Sequence, residues 1–376
     1  MRSQDFPDLD VTYLDSACMS LRPRRVIQKI EEYYREYPVC TGRSAHSLAE
    51  RASEELETAR NRTADLIDAE PGDLMFTSGT TEGINTVARG TCFEKVVVSD
   101  REHNSNLVPW QRRDVELSTV STREGLDLAE LESEVSEDVL VSMVHVSNID
   151  GYELPMAEIS RVVHENGGYL MIDAAQSIPH QPFSVEELRP DAVAFSGHKM
   201  CGPSGTGGLY LSDRMKEKVS PLTTGGGAVR SSTYSSADRR EFPHGMEAGL
   251  PDVAGFIGMG EAAAYLEEIG MEKIQDHEEE LTEEMRSGLE GIDGVETVGL
   301  EGTGIVSFKV SGVDNNQVAA MLDRKDVAVR SGMHCVHSWF NSREEKGSVR
   351  ASLHLYNDEE DVQKLLTEVR RIAQLS

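Results

Sequence analysis

From about residue 95 to residue 212, short apolar runs rich in β-branched residues alternate with stretches of helical periodicity. KVVVSD (95–100), VLVSMVHVS (139–147), YLMID (169–173), AVAFS (192–196) and GLYLS (208–212) read as strands. Residues 104–113, 127–135 and 155–166, which lie between them, read as helices. Strands that are apolar nearly throughout are buried on both faces. The pattern therefore predicts an α/β domain whose mostly parallel sheet is covered by helices. Upstream, 24–37 and 48–67 read as helices, the second with Glu and Arg at exposed spacings. After about residue 252 the texture changes. Long helices over 252–291 precede two strands near 296–310, a helix near 314–325, the strands VAVR (327–330) and SVRASLHLY (348–356), and a final helix near 358–373. This order predicts a smaller α+β domain. The expected division is 21–251 for the large domain, with 1–20 and 252–376 in the small one.

Composition narrows the class. A chain of 376 residues has room for two or three domains and a large core that needs no disulfide or metal. With 38% hydrophobic and 27% charged residues it is neither collagen-like, low-complexity nor disordered. No run of about 18 apolar residues is present to span a membrane, and MRSQDFPDLD at the start predicts no secretory signal. Sixty-six acidic residues against 37 basic ones give a net charge of −29, which repels nucleic acid. The acids are dispersed and Arg outnumbers Lys, so we read a halophile's cytoplasmic surface, soluble where salt screens self-repulsion. A merely acidic mesophile protein is the alternative. The five cysteines, Cys18, Cys40, Cys92, Cys201 and Cys335, are odd in number, widely spaced and free of C-x-x-C. They predict a reducing compartment, and the default reading of each is a small buried apolar residue.

Chemistry enters at SGHK (196–199), just beyond the strand AVAFS and before the glycine-rich CGPSGTGG (201–208). A lone Lys at a strand end is usually a solvated surface residue. Here Asp173 closes the strand YLMID, and parallel-sheet enzymes place reactive groups at carboxyl strand ends. Asp173 and Lys199 are thus expected to face one crevice, one strand apart. That pair suits pyridoxal 5'-phosphate: the amine forms a Schiff base and the carboxylate pairs with the pyridinium nitrogen. FTSGTTEGIN (76–85) offers a phosphate site at a helix N-terminus, with Gly79 and Thr80. A plain N-cap with Thr80 or Thr81 is the alternative. Ser196 and His198 could add donors to the same phosphate.

These residues carry a resemblance. The chain resembles the class V branch of fold-type I pyridoxal phosphate enzymes, and within it the Suf-type cysteine desulfurases and selenocysteine lyases, in a haloarchaeal form. The matching segments, in order, are YLDSA (13–17), GTTEGIN (79–85), EHNSNLVPWQ (102–111), HVSNIDG (145–151), DAAQ (173–176), SGHK (196–199), GGG (225–227), EAGLP (247–251), RSGMHC (330–335) and RASLHLYN (350–357). They span nearly the whole chain. The resemblance implies a large domain with a mostly parallel seven-stranded sheet, a smaller α+β domain, a homodimer and pyridoxal 5'-phosphate. It implies Lys199 as the Schiff-base lysine, Asp173 as the pyridinium partner and Gln176 as a donor to the ring hydroxyl. His103 would stack on the ring and move protons. Asn148 would touch the cofactor and the substrate. Thr80, Ser196 and His198 would hold the phosphate. Arg350 would bind the substrate carboxylate, for which a planar fork suits better than Lys; an interior ion pair is its alternative.

Cys335, in RSGMHCVHSW, stands where the family carries its persulfide-forming cysteine. His334, His337 or Arg330 could favour a thiolate there. A metal held by His334, Cys335 and His337 is disfavoured, because adjacent positions rarely converge on one ion. The implied activity is conversion of L-cysteine to L-alanine, with a persulfide on Cys335 passed to an acceptor protein or thiol for iron–sulfur cluster or thiolation supply. Selenocysteine lyase uses the same residues. An aminotransferase or β-lyase in which Cys335 is incidental, and a non-catalytic sulfur scaffold, are the other readings. Asn104 and Met333 stand where many relatives have a second His. Leu250 replaces a Thr that reaches the partner's phosphate, and Gly42 replaces a substrate-side His.

Overall fold

The computed structural model describes residues 3–42 and 44–375. A seven-stranded sheet runs in the order Leu74–Thr77, Gly207–Leu211, Ala192–Ser196, Tyr169–Asp173, Leu140–Val144, Lys95–Ser99 and Glu116–Val120. The last five are mutually parallel. Gly207–Leu211 alone runs against both of its neighbours. This is the mostly parallel sheet that the run of buried strands predicts. One consequence fixes the site: Thr77, Ser196, Asp173 and Val144 all end their strands at the same edge of the sheet.

Several elements differ from expectation for physical reasons. The strand expected over 139–147 stops at Val144, because His145 N–H turns to the carbonyl of Asp173 and the chain folds back through a Val146–Glu153 bridge. That turn carries Asn148 to the sheet edge. Glu116–Val120 closes the sheet as an edge strand of which only Val120 is fully buried, and so lacks the continuous apolar signal. The hairpin of Val229–Ser232 and Ala237–Arg239 is almost wholly exposed and leaves no hydrophobic trace in the sequence. The helices expected over 252–291 are, as read, more than one: Gly270, with φ of +95°, ends Val253–Ile269 and starts Met271–Glu290.

A second sheet, antiparallel throughout, has the order Val295–Val298, Ile305–Val310, Ser348–Ser352 and Arg330–Gly332. Its core joins Val306, Phe308 and Val349 to helix residues such as Met285 and Leu365. VAVR splits: Val327–Ala328 pairs in parallel with Thr12–Tyr13, and Arg330 joins the second sheet. The N-terminal segment touches both halves, with Phe6 in the large core and Leu14 in the small one. Val253–Ile269 packs on Arg24–Glu36 and Ser47–Asp65.

Candidate active site

The shared strand edge and the second sheet enclose one pocket. Its lining includes Thr80, His103, Asn148, Asp173, Gln176, Ser196, His198, Lys199 and Arg350, so nine residues singled out from sequence converge. Asp173 is buried, and its Oδ1 accepts the Ala175 N–H at 3.0 Å. Burial pushes its carboxyl pKa up, and the charge of Lys199 opposes this. Lys199 follows the strand in the short turn Gly197–Lys199. Burial brings its amine down to about 8, with Asp173 opposing and Arg350 and Arg330 adding to the fall.

The helix Thr80–Gly90 points its N-terminus at this edge. Gly79 precedes it at φ +140°, and a Cβ there would meet Ser196 Oγ at 3.0 Å. Thr80 N–H donates to Ser196 Oγ at 2.9 Å, and the two hydroxyls lie 2.7 Å apart. Gly79 is thus the N-cap, in place of Thr80 or Thr81. His198 is brought down to about 4 by burial and the nearby Lys199 charge. His103 caps Asn104–Gln111 by accepting the Ser105 N–H on Nδ1 at 3.1 Å. Burial, then the charge of Lys199, bring it down to about 3, so the ring is neutral with its proton on Nε2.

Asn148 Oδ1, Gln176 Oε1 and Arg350 Nε are buried at this pocket without a hydrogen-bond partner. Buried polar atoms are rarely left so, and a polar ligand would complete them. Asn148 gives Nδ2 to the His334 carbonyl at 2.8 Å, and Gln176 gives Nε2 to the Ala17 carbonyl at 2.8 Å. The atom that Gln176 leaves unpaired is therefore an acceptor, where a donor was expected. An unpaired acceptor pair, a buried acid, an amine and a helix N-terminus fit pyridoxal phosphate: hydroxyl, pyridinium, aldehyde and phosphate in turn.

Arg350 pairs with Asp15 at 3.1 Å and donates to the Asn148 carbonyl at 2.9 Å. Beside it, Arg330 donates from Nη1 to Cys18 Sγ at 3.0 Å and from Nη2 to Cys335 Sγ at 3.8 Å.

A family model, aminotransferase class-V, matches residues 12–365. The chain belongs to the class-V aminotransferase family. It is 39% identical to a probable cysteine desulfurase of Methanothermobacter thermautotrophicus, covering 98% of this chain and 97% of that protein. It is 36% identical to a cysteine desulfurase of Haloferax volcanii, over 96% and 88% of the two. The apo structure of a cysteine desulfurase from Thermococcus onnurineus NA1 superimposes with a TM-score of 0.94 at 32% identity, covering 98% of this chain and 96% of that one.

Within this class-V aminotransferase chain, the loop bearing Cys335 is held firmly. His334 and Cys335 both take positive φ, +48° and +61°, which is uncommon outside glycine. The His334 carbonyl accepts from Asn148 and the Cys335 carbonyl from Asn104 N–H at 2.8 Å. Burial, with Arg350 and Arg330, brings His334 down to about 2, so this ring is neutral and supplies no charge to the thiol. His337 is engaged by Asn104 at 2.9 Å. Of the three groups expected near Cys335, Arg330 is the one that contacts the sulfur.

The cysteines depart from the default of burial. Cys201 is buried, Cys40 and Cys92 are exposed, and Cys18 and Cys335 are half-buried. Sequence reasoning passed over Cys18, which lines the pocket, and Asp15, which sits in the matched YLDSA. It also missed Glu102, a fully buried carboxyl under the site that burial pushes up to about 8. Glu102 accepts from Ser99, Asn106 and Val144 N–H. A second buried cluster, Glu278 with His180 at 2.8 Å and His354 at 3.4 Å, was likewise unforeseen. Its members are far apart in sequence, and nothing local marks them.

Proposed function

We propose that this chain is a pyridoxal phosphate-dependent cysteine desulfurase: it converts L-cysteine to L-alanine and leaves the sulfur as a persulfide on Cys335. The observation that carries this reading is the placement of Lys199 and Asp173 at neighbouring strand ends, in one pocket with Arg350 and Arg330, whose second terminal nitrogen reaches Cys335. The relatives at 39% and 36% identity support it by their names.

In this reading Lys199 and Asp173 hold the cofactor, with Asn148 and Gln176 at its hydroxyl and Thr80, Ser196 and His198 at its phosphate. When bound, the cofactor supplies an electron sink at the substrate's α-carbon. Arg350 binds the substrate carboxylate through a two-pronged contact, exchanging Asp15 for the ligand. Lys199, with its amine near 8, takes the α-proton close to neutral pH. His103 covers the pocket as a neutral ring whose Nε2–H can donate a proton and take one back. Cys335 attacks the substrate sulfur: the Cys335 S–S bond forms, the substrate C–S bond breaks, and its electron pair goes to the β-carbon, which is then protonated; return of the α-proton from Lys199 completes alanine. Arg330 balances the anion on the attacking sulfur.

We extend the proposal to a homodimer. Leu250, 71% exposed, and the exposed hairpin of residues 229–239 lie on the 225–251 segment, which in this reading reaches the partner. Sulfur then leaves for an acceptor protein or thiol. Five unpaired cysteines suit a reducing cytoplasm, and no helix among the described residues is long and apolar enough to cross a membrane. The division into 21–251 against 1–20 with 252–376 stays a proposal, with Val253–Ile269 packed on helices of the larger part. The deciding experiment assays alanine and sulfide from L-cysteine beside the products from L-selenocysteine. Alanine from both with a dependence on Cys335 for cysteine alone supports the desulfurase. Turnover of selenocysteine alone makes the chain a selenocysteine lyase.

A further inference from the structure

Two thiols, far apart in sequence, meet one guanidinium. Arg330 gives one terminal nitrogen to Cys18 at 3.0 Å and the other to Cys335 at 3.8 Å. Among the described residues no arginine hydrogen-bonds any of the other three cysteines. Cys18 lines the pocket itself, together with Lys199, Arg330 and Arg350, and Cys335 is reached from the other terminal nitrogen of Arg330. The two sulfurs therefore share one cation, and one of them lines the cavity.

The backbone around each thiol is fixed. The carbonyls of His334 and Cys335 are both engaged, and Val336 N–H closes a turn onto Met333 at 2.8 Å. On the other side, Cys18 N–H bonds the Asp15 carbonyl at 3.1 Å, and Ala17 N–H bonds Ser352 Oγ at 3.0 Å. A sulfur loaded on Cys335 thus moves only by side-chain rotation, extended by an S–S bond of about 2 Å. Cys18 is the other thiol on the same guanidinium.

We propose that Cys18 is a second sulfur-carrying residue, which takes the sulfane sulfur from a Cys335 persulfide across Arg330. This rests on the reading of Cys335 as first receiver. The Cys18 thiolate attacks the outer sulfur of the persulfide. A Cys18 S–S bond forms, the Cys335 S–S bond breaks, and Cys335 departs as a thiolate facing Arg330 Nη2. The hydrogen stays with the transferred sulfur, and no net oxidation occurs, as in thiol–disulfide exchange. Arg330 balances whichever thiolate is free, so the exchange runs in either direction. The active site then holds one sulfur at either of two places.

The test gives the holoenzyme one equivalent of heavy-sulfur L-cysteine, quenches with an alkylating agent over a time course, and weighs the peptides bearing each cysteine. The expected result is a mass gain of one heavy sulfur at Cys335 first and at Cys18 afterwards. Cys335→Ser should show none on Cys18, and Cys18→Ser should keep the label on Cys335. Label on Cys335 and never on Cys18 overturns this inference and leaves the desulfurase reading intact. Label on Cys18 in Cys335→Ser, with alanine formed, overturns the reading of Cys335 as first receiver. Equal labelling of exposed Cys40 and Cys92 shows indiscriminate exchange and overturns the assignment.

Discussion

Arg330 and Arg350 are direct cross-strand partners in the second sheet, so two guanidiniums rise side by side into the pocket. Like charges placed so oppose folding unless they are balanced. Asp15 answers Arg350 at 3.1 Å, and the Cys18 sulfur accepts from Arg330 at 3.0 Å. Burial brings the Arg350 guanidinium pKa down, with Arg330 adding to the fall and Asp15 opposing it. Both guanidiniums line the same pocket as Lys199.

Replacing Arg350 with Gln should therefore cost the charge-assisted contact, about 2 kcal/mol. That is roughly a thirtyfold loss in kcat/KM, and it should be carried mainly by KM. Arg350→Lys should fail to restore it, because an ammonium lacks the fork. Steady-state kinetics on both variants check this; an unchanged KM in Arg350→Gln removes Arg350 from substrate binding.

Cofactor capture should depend on pH through Lys199. Only the neutral amine condenses with an aldehyde, and burial holds this amine near 8. The rate at which apoenzyme takes up pyridoxal phosphate should rise with pH and level off above about 8. Asp173 opposes the fall, so Asp173→Asn should move the midpoint lower. Stopped-flow absorbance reads both, and a midpoint near 10 would contradict the assignment.

The buried Glu278 cluster should govern stability. Contact with His180 and His354 overcomes burial and holds the Glu278 carboxyl down to about 2, while His354 rises to about 9 as its partners outweigh burial. The Glu278 contribution is present above its ordinary 4.5 and is lost as pH falls towards 2. The His354 contribution is full below 6.5 and is lost as pH rises through about 9. Glu278→Gln leaves buried histidines unbalanced and should destabilise by about 3 kcal/mol. Melting curves against pH should show a loss as pH falls from 4.5 towards 2 and a decline as it rises from 6.5 through 9.

The net charge of −29 makes salt a stabiliser. Like charges repel across a Debye length of about 30 Å at 0.01 M salt but only about 3 Å at 1 M. The Tm should rise between those conditions. A Tm that stays level or falls would show that the surface charge is not a burden on the fold.

The buried parallel strands were legible because burial on both faces leaves unbroken apolar runs, and the strand-end placing of Asp173 and Lys199 followed from them. The edge strand Glu116–Val120 and the hairpin of residues 229–239 were not, because exposure removes that signal. Side-chain convergence was legible only where a motif carried it. Arg350 was expected from RASLHLYN, but its opposition to Arg330 depends on strand register, which no local pattern fixes. Cys18 reaches the pocket because the segment after Tyr13 is pinned by Ser352 and Gln176, contacts that span more than a hundred residues.

The central claim is that substrate sulfur passes to Cys335, and alanine formed from L-cysteine by Cys335→Ser tests it most directly. The serine variant keeps Lys199, Asp173 and Arg350, so it should bind pyridoxal phosphate, turn yellow and shift its absorbance when cysteine is added. A hydroxyl is a poor nucleophile towards sulfur and holds no persulfide, so alanine should not accumulate while the wild type produces it steadily. Alanine formed by the variant at the wild-type rate would contradict the account and leave Cys335 incidental to the chemistry.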